Sequence, residues 1–305
     1  MRFFGAPAGL AVFAVNGWLL GLGRTRAALA LQVVMNLANI ALDLLFVRHF
    51  GLGARGVGMG TSCAEWIALA TGAALVWPHL RAQTRAPLLD PAAMKRLFAV
   101  NADIMIRTVA LLLLFGWFAN AGARLGVTAL AANQVLMQAV GLVAFVLDGF
   151  AFTAESRVGQ AIGGGSRHDL IRAIRLTGEF SLAVALLAGV LIALFGATGV
   201  RMLVTDPAVR TGAIALLPMV VALPLIGTPA WLLDGIFIGA TGGRALRNAA
   251  IVSTALYVLT DLALRPLGVH GVWWALLASY VYRAVALGRN LPALIDSVAK
   301  PVPRP

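Results

Sequence analysis

Nine apolar runs of about 20 to 30 residues recur along the chain, separated by short stretches that carry Gly, Pro or Arg. A helix rises about 1.5 Å per residue and a bilayer's hydrocarbon core is about 30 Å thick, so each run is long enough to cross. The runs predict helices over 3–23, 27–49, 56–78, 93–120, 127–158, 168–198, 209–240, 245–266 and 269–290. Connections such as Gly23-Arg24-Thr25-Arg26, Gly51-Leu52-Gly53-Ala54-Arg55-Gly56 and Gly163-Gly164-Gly165-Ser166-Arg167 read as turns. The longest polar stretch, about 81–96, holds Pro87 and Pro91 and reads as a linker between two halves.

Composition turns this pattern into a class. Of 305 residues, 60% are hydrophobic and 12% charged, with a mean hydropathy of +0.90. Soluble domains carry about 25% charged residues, so this chain is an all-α polytopic membrane protein. The net charge of +12 is not gathered into a basic stripe interleaved with aromatics, which excludes a nucleic-acid partner. The single cysteine, Cys63, excludes an internal disulfide and a multi-cysteine metal site. His49, His79, His168 and His270 lie at helix ends without metal-ligand spacing, so no metal and no cofactor are expected. No Gly-x-x-x-x-Gly-Lys-Ser/Thr loop and no nucleophile–base constellation appear, which argues against ATP-driven transport and against an enzyme. Met1-Arg2-Phe3-Phe4 resembles the charged start of a signal peptide, but no cleavage site follows it and none is assigned.

Charge also sets an expected topology. Alternate connections hold sixteen Lys and Arg on one side and seven on the other, with Arg107 inside a helix. The positive-inside rule then places the linker and the C-terminus in the cytoplasm, with the N-terminus outside. Arg283 is counted here among the connections.

Within the second apolar run Asn39 and Asp43 are i and i+4, and Asn36 extends the same helical face. A carboxylate at bilayer depth is costly and faces a protein interior or a wet cavity, so this stripe reads as the cation or proton site of a transporter. The competing reading is a hydrogen-bonded pair that fixes helix packing, on the order of 1 kcal/mol. An internal repeat accompanies it. Asn16-Gly17-Trp18-Leu19-Leu20-Gly21 aligns with Asp234-Gly235-Ile236-Phe237-Ile238-Gly239 at an offset of 218, which also sets Asp43 on Asp261. Gly53-Ala54-Arg55-Gly56-Val57 meets Gly268-Val269-His270-Gly271-Val272 at an offset of 215. Helices one to three thus pair with seven to nine, and sites at repeat interfaces are common in transporters. The expected organisation is a partial three-helix N-terminal lobe (1–80), a cytoplasmic linker (81–92), a six-helix C-terminal lobe (93–290) and a cytoplasmic tail (291–305).

Other polar residues in apolar runs carry weaker signals. Asp103 and Arg107, i and i+4, read as a self-neutralising pair. Asp148 and Asp234 each precede a glycine and read either as cavity lining or as contacts to Arg244 or Arg247. Glu155 reads as a surface pair with Arg157. Pro218, Pro224 and Pro229 fall within one helix, each removing a backbone donor and inviting a bend. Met105, Met137 and the aromatics read as core or lipid contact rather than as a pocket.

Taken in order, several segments resemble the multidrug and toxic compound extrusion (MATE) transporters, in their DNA-damage-inducible F branch. They are Gly21-Leu22-Gly23-Arg24-Thr25-Arg26, Asn39-Ile40-Ala41-Leu42-Asp43, Asn101 to Arg107, Leu130-Ala131-Ala132-Asn133-Gln134-Val135-Leu136-Met137, Leu147-Asp148-Gly149-Phe150-Ala151-Phe152, and Leu233-Asp234-Gly235-Ile236-Phe237-Ile238-Gly239-Ala240-Thr241 followed by Arg247-Asn248. The resemblance implies twelve helices in two six-helix lobes, of which this chain is similar to helices four to twelve. It also implies a cation or proton site to which Asn39, Asp43 and Thr61 match, while the family's first-helix Asp has no counterpart. Asn16, Asp103, Arg107, Asn133, Asp148 and Asp234 are candidate cavity or gate residues.

The function expected is secondary active efflux of small amphipathic, cationic organic substrates by H⁺ or Na⁺ antiport with alternating access. The protein would sit as a monomer in a bacterial-type inner membrane. Two alternatives stand beside it: a non-transporting, N-terminally truncated fragment, and a lipid-linked-oligosaccharide flippase of the same superfamily. A flippase cavity calls for several arginines, whereas only Arg107 falls clearly within a predicted span.

Overall fold

The computed structural model describes residues 2–82 and 90–298; the middle of the expected linker (83–89) and the end of the expected tail (299–305) lie outside them. Ten α-helices follow one another: α1 (Ala6–Gly21), α2 (Thr25–Leu44), α3 (Gly53–Ala82), α4 (Pro91–Arg124), α5 (Val127–Gly163), α6 (Arg167–Leu203), α7 (Pro207–Gly239), α8 (Gly243–Leu264), α9 (Gly268–Gly288) and α10 (Leu291–Val298). The described residues contain no strand. The first nine are the helices expected from the apolar runs, and α10 is an addition within the expected tail. Seven stretches, from Thr25–His49 to Gly243–Val298, are long and apolar enough to cross a bilayer; α1, with 16 residues, is shorter, and α8 to α10 count as one stretch.

Most helices overrun their apolar runs. α5 and α6 have 37 residues each, about 55 Å, well beyond the hydrocarbon thickness. Hydrophobicity ends at the membrane surface, but Arg, Gln and Glu are good helix formers, so the helix continues until a cap stops it. The caps are legible. Ser166 Oγ accepts from the Asp169 backbone N–H at 3.2 Å and starts α6. Asp206 Oδ1 accepts from Ala208 N–H at 2.7 Å ahead of Pro207, the first residue of α7. Lys95 and Arg96, expected at the edge of a loop, belong to α4.

The helices fall into two compact units, Met1–Asp90 and Pro91–Pro305. In the first, α3 packs on α1 and α2 around Val12, Leu19, Ala28, Leu31, Ala68 and Val76. α2 ends in a widened turn, Leu45–His49, in which Phe50 N–H reaches back to Leu45 O at 3.2 Å.

In the second unit α7 is central, packed on α5, α6 and α9. It runs unbroken through Pro218, Pro224 and Pro229, its lining almost wholly apolar. Gly235 and Gly239 let α7 approach α5 so closely that a Cβ on either would strike the backbone of Ala151 or Glu155. Between apolar helices in lipid, attraction comes from such close packing rather than from expelling water, so this Gly-x-x-x-Gly pair does what a larger side chain would prevent.

Candidate functional site

Asp43 stands on α2 where Gly60 of α3 leaves room for it: a Cβ at Gly60 would collide with Asp43 Oδ1. That oxygen is shielded and has no hydrogen-bond partner among the described residues. One turn earlier Asn39 Nδ2 donates to Thr61 Oγ1 at 3.1 Å, and the Thr61 hydroxyl donates to Val57 O at 2.9 Å. The chain of donors therefore runs away from Asp43. The Asn39 carbonyl oxygen and the Asp43 carboxylate share this face as acceptors at i and i+4, with the second Asn39 N–H beside them. Such a pair of acceptors can receive a proton or a hard cation. Asn36 is exposed and adds no contact. The widened turn of α2 begins two residues after Asp43.

Glu65, which sequence reasoning passed over, is the second carboxylate of this unit. It lies one turn beyond Thr61 on α3 and leans on the first turn of α1, where a Cβ at Gly5 would strike its Oε2. The N-cap of α1, Gly5, has no side-chain cap, and a carboxylate beside the positive end of a helix is favourable. The signal for Glu65 was the one used for Asp43, an acid inside an apolar run. Asn16 lies on α1, with a shielded Oδ1 that has no partner among the described residues.

The second unit holds its charges differently. Arg107 of α4 donates to Asp234 Oδ2 of α7 at 2.6 Å, and Arg283 Nε of α9 lies 3.8 Å from the same oxygen. Asp148 of α5 is half-buried within electrostatic reach of Asp234 and Arg107. Two arginines and two aspartates thus converge from four helices. Arg283 is also set over the Tyr280 ring at 5.2 Å, and Tyr280 meets Trp231 edge-on at 5.1 Å. Asp103 pairs instead with Arg247 of α8 at 2.6 Å.

Several expectations are corrected here. Asp103 and Arg107 do not form an ion pair with each other: each meets a partner on a facing helix at 2.6 Å, a contact that is strong in a low dielectric. Asp234 contacts neither Arg244 nor Arg247. Arg283, counted in a connection, is a buried residue of α9, 7% exposed, which leaves fifteen positive charges on the richer side against seven. Glu155 and Arg157 form no ion pair among the described residues, since i and i+2 point to different sides of a helix. Asn133, read as cavity or gate, is 1% exposed; its Oδ1 accepts from Trp273 Nε1 at 2.8 Å and its amide nitrogen fits against Gly122. Met137 and Met105 need no correction: Met137 packs on the core and Met105 is 64% exposed, in keeping with the core or lipid contact expected of them.

Asp261, the repeat counterpart of Asp43, is 2% exposed and engaged through one carboxylate oxygen. Trp117 Nε1 donates to its Oδ2 at 2.8 Å and Arg124 donates to the same oxygen at 3.1 Å. Both donors come from α4, so sequence spacing within the repeat could not announce them.

Comparison with known proteins agrees with this architecture. The MatE family model matches residues 105–262. DNA damage-inducible protein F of Escherichia coli (strain K12) is 36% identical over 291 residues, covering 94% of this chain. The chain spans 63% of that relative's length. A crystal structure of a MATE protein in the bent conformation superposes with a TM-score of 0.85 at 18% identity, covering 97% of this chain and 68% of its own. A MOP superfamily transporter from Pyrococcus furiosus Vc1 (DSM3638), described as having a binding pocket of reverse polarity that suggests a different function, superposes at 0.76 and 18% identity, covering 94% of this chain and 66% of its own.

Proposed function

The chain belongs to the MatE family of membrane transporters, and from that premise we propose that it serves secondary active efflux of small amphipathic, cationic organic compounds, driven by H⁺ or Na⁺ antiport. Asp43 is the coupling group, with Asn39 and Thr61 shaping its site. One observation carries this reading: a shielded carboxylate oxygen with no donor among the described residues, on the helical face of Asn39, whose amide donates to Thr61. Asp43 is half-buried, and a carboxylate oxygen shielded without a donor carries a desolvation cost that a proton or bound cation removes. A ligand shifts a conformational equilibrium only by its differential affinity for the two states. Neutralising Asp43 supplies such a difference if the α2–α3 face is packed tightly in one state and wet in the other. The protein works in a bacterial inner membrane, with its C-terminus on the cytoplasmic side by its arginine distribution.

The test is efflux of a cationic dye from proteoliposomes under an imposed pH or Na⁺ gradient. Asp43→Asn is expected to bring gradient-driven efflux down to the level of protein-free vesicles while the helical content is unchanged. An Asp43→Asn protein that still follows the gradient as the parent does would overturn the assignment. Absence of transport by the parent chain itself would instead favour a non-transporting fragment. For a lipid-linked-sugar flippase, free arginines are needed to hold a pyrophosphate. Arg107 and Arg283 both face Asp234, which speaks for the antiporter reading.

A further inference from the structure

Between α5 and α6, at the end where Gly163-Gly164-Gly165-Ser166 joins them, lies a cleft of about 690 Å³. Its polar end is formed by Arg157 and Arg172 beside the connection, and its other end by Phe150, Leu176 and Phe180. Phe150 and Phe180 each lie about three and a half turns, roughly 20 Å, in from the joined helix ends, whereas Arg157 and Arg172 lie within about two turns. The cleft therefore changes from cationic to apolar over about 20 Å inward from the joined helix ends.

The two arginines are not tied into a close pair, although Arg172 lies within electrostatic reach of the rim acid Asp169. Neither is in an ion pair among the described residues, although their neighbours are: Arg175 is bound by Glu179 at 2.7 Å, and Arg167 is 4.0 Å from Asp296. The one acid at the rim, Asp169, sits 3.5 Å from His168. Deeper in, the wall hydroxyls are already engaged, since Thr177 donates to Ala173 O at 2.7 Å and Thr153 donates to Gly149 O at 2.8 Å. The mouth is bare backbone: a Cβ at Gly163 or Gly165 would meet nothing within 4 Å. Gly165 needs to be glycine for its φ of +67°, but Gly163 is under no such demand.

We propose that this cleft seats one anionic glycerophospholipid, its headgroup phosphate held by Arg157 and Arg172 and an acyl chain lying along Phe150, Leu176 and Phe180. Charge complementarity and depth select this occupant. A soluble anion would be held by the arginines but has no use for an apolar trough. A helix from another protein would leave two guanidinium groups facing apolar surface. Basic pockets between helices near a membrane surface suit phosphate headgroups, each Lys or Arg contributing on the order of 1 kcal/mol. The long side chains can keep their charge at the surface while their stems cover the upper cleft.

Native mass spectrometry of the chain released from mild detergent tests this, with phosphatidylglycerol or phosphatidylcholine of matched acyl chains added. The chain is expected to retain one phosphatidylglycerol in preference to phosphatidylcholine by about tenfold, the value of two such contacts after partial screening. Arg157→Ala with Arg172→Ala removes the preference. Arg157→Lys with Arg172→Lys keeps most of it, and guards against a folding defect in the alanine variant. Arg201→Ala, at the far end of α6, changes nothing. Phe150→Ala with Phe180→Ala lowers retention of both lipids alike. Equal retention of the two lipids by the parent chain, an unchanged preference in the double alanine variant, or displacement by millimolar inorganic phosphate alone would each overturn the proposal, the last by showing a free-anion site.

Discussion

Two parts of the molecule are built on one plan, and they use it to opposite ends. α1–α3 and α7–α9 share helix boundaries at nearly the same offset: α1 and α7 end at Gly21 and Gly239, α2 and α8 start at Thr25 and Gly243, 218 residues apart, and α3 and α9 start at Gly53 and Gly268, 215 apart. Even the turns coincide. Arg24 N–H bonds to Leu19 O at 2.8 Å and Gly23 N–H to Leu20 O at 2.9 Å; in the later copy Gly242 N–H bonds to Phe237 O at 2.7 Å and Thr241 N–H to Ile238 O at 2.9 Å. These are the crossed bonds of a left-handed helix cap. The difference lies in what surrounds each copy. Gly235 and Gly239 are pressed on α5, whereas a Cβ on Gly17 or Gly21 would meet nothing within 4 Å. Asp261 is held by Trp117 and Arg124, whereas Asp43 Oδ1 has no partner. A repeated sequence thus reproduces backbone and caps, and neighbouring helices decide whether the same acid is tied to donors or keeps an oxygen without one among the described residues.

Five substitutions test that contrast, beginning with the largest effect. Arg124→Leu strands Asp261 with only Trp117 as donor. Loss of one partner from a buried pair costs about 3–5 kcal/mol, and because Arg124 is itself 38% exposed, about 3 kcal/mol is expected. Thermal unfolding of the purified protein should show it, and an unchanged midpoint would mean that Asp261 is no more anchored than Asp43. Next, Gly235→Ala drives a methyl into the Ala151 backbone and should cost about 2 kcal/mol. The equivalent Gly17→Ala meets no atom and should be neutral or stabilising by up to about 1 kcal/mol from helix propensity. Equal effects at the two sites, read in the same unfolding assay, would erase the difference in surroundings.

The smallest effect concerns the shared cap. Gly23 has φ +70° and Thr241 has φ +53°, the latter the single positive φ outside glycine among the described residues. A side chain in that region costs about 1 kcal/mol. Thr241→Gly should therefore stabilise by about that amount and Gly23→Ala should destabilise by a similar amount. Denaturation midpoints moving the same way for both would show that the two turns are not equivalent.

Much of this was legible beforehand. The nine apolar runs are nine helices, because a chain that crosses lipid must satisfy its backbone internally and the helix does so without neighbours. The offset of the repeat, and with it the match of Asp43 to Asp261, was visible as spaced glycines and acids. Helix ends were harder, since Arg and Glu extend a helix past the point where hydrophobicity stops. The polar stripe Asn39–Asp43 was readable from i, i+4 spacing, and so in principle was Glu65.

Pairing of charges was not readable. Local spacing suggested Asp103 with Arg107, yet the chain joins Asp103 to Arg247, and Arg107 to Asp234 from 127 residues away. The sequence alone determined membrane residence, the helices, their caps and the internal repeat, because these depend on hydrophobicity and on contacts within a few residues. Tertiary structure alone decided that Asp234 and Asp261 are neutralised, that Arg283 is buried and that Asp43 Oδ1 lacks a donor. An ion pair in a low-dielectric interior is won by the shortest aligned contact, and which contact is shortest depends on how the helices pack.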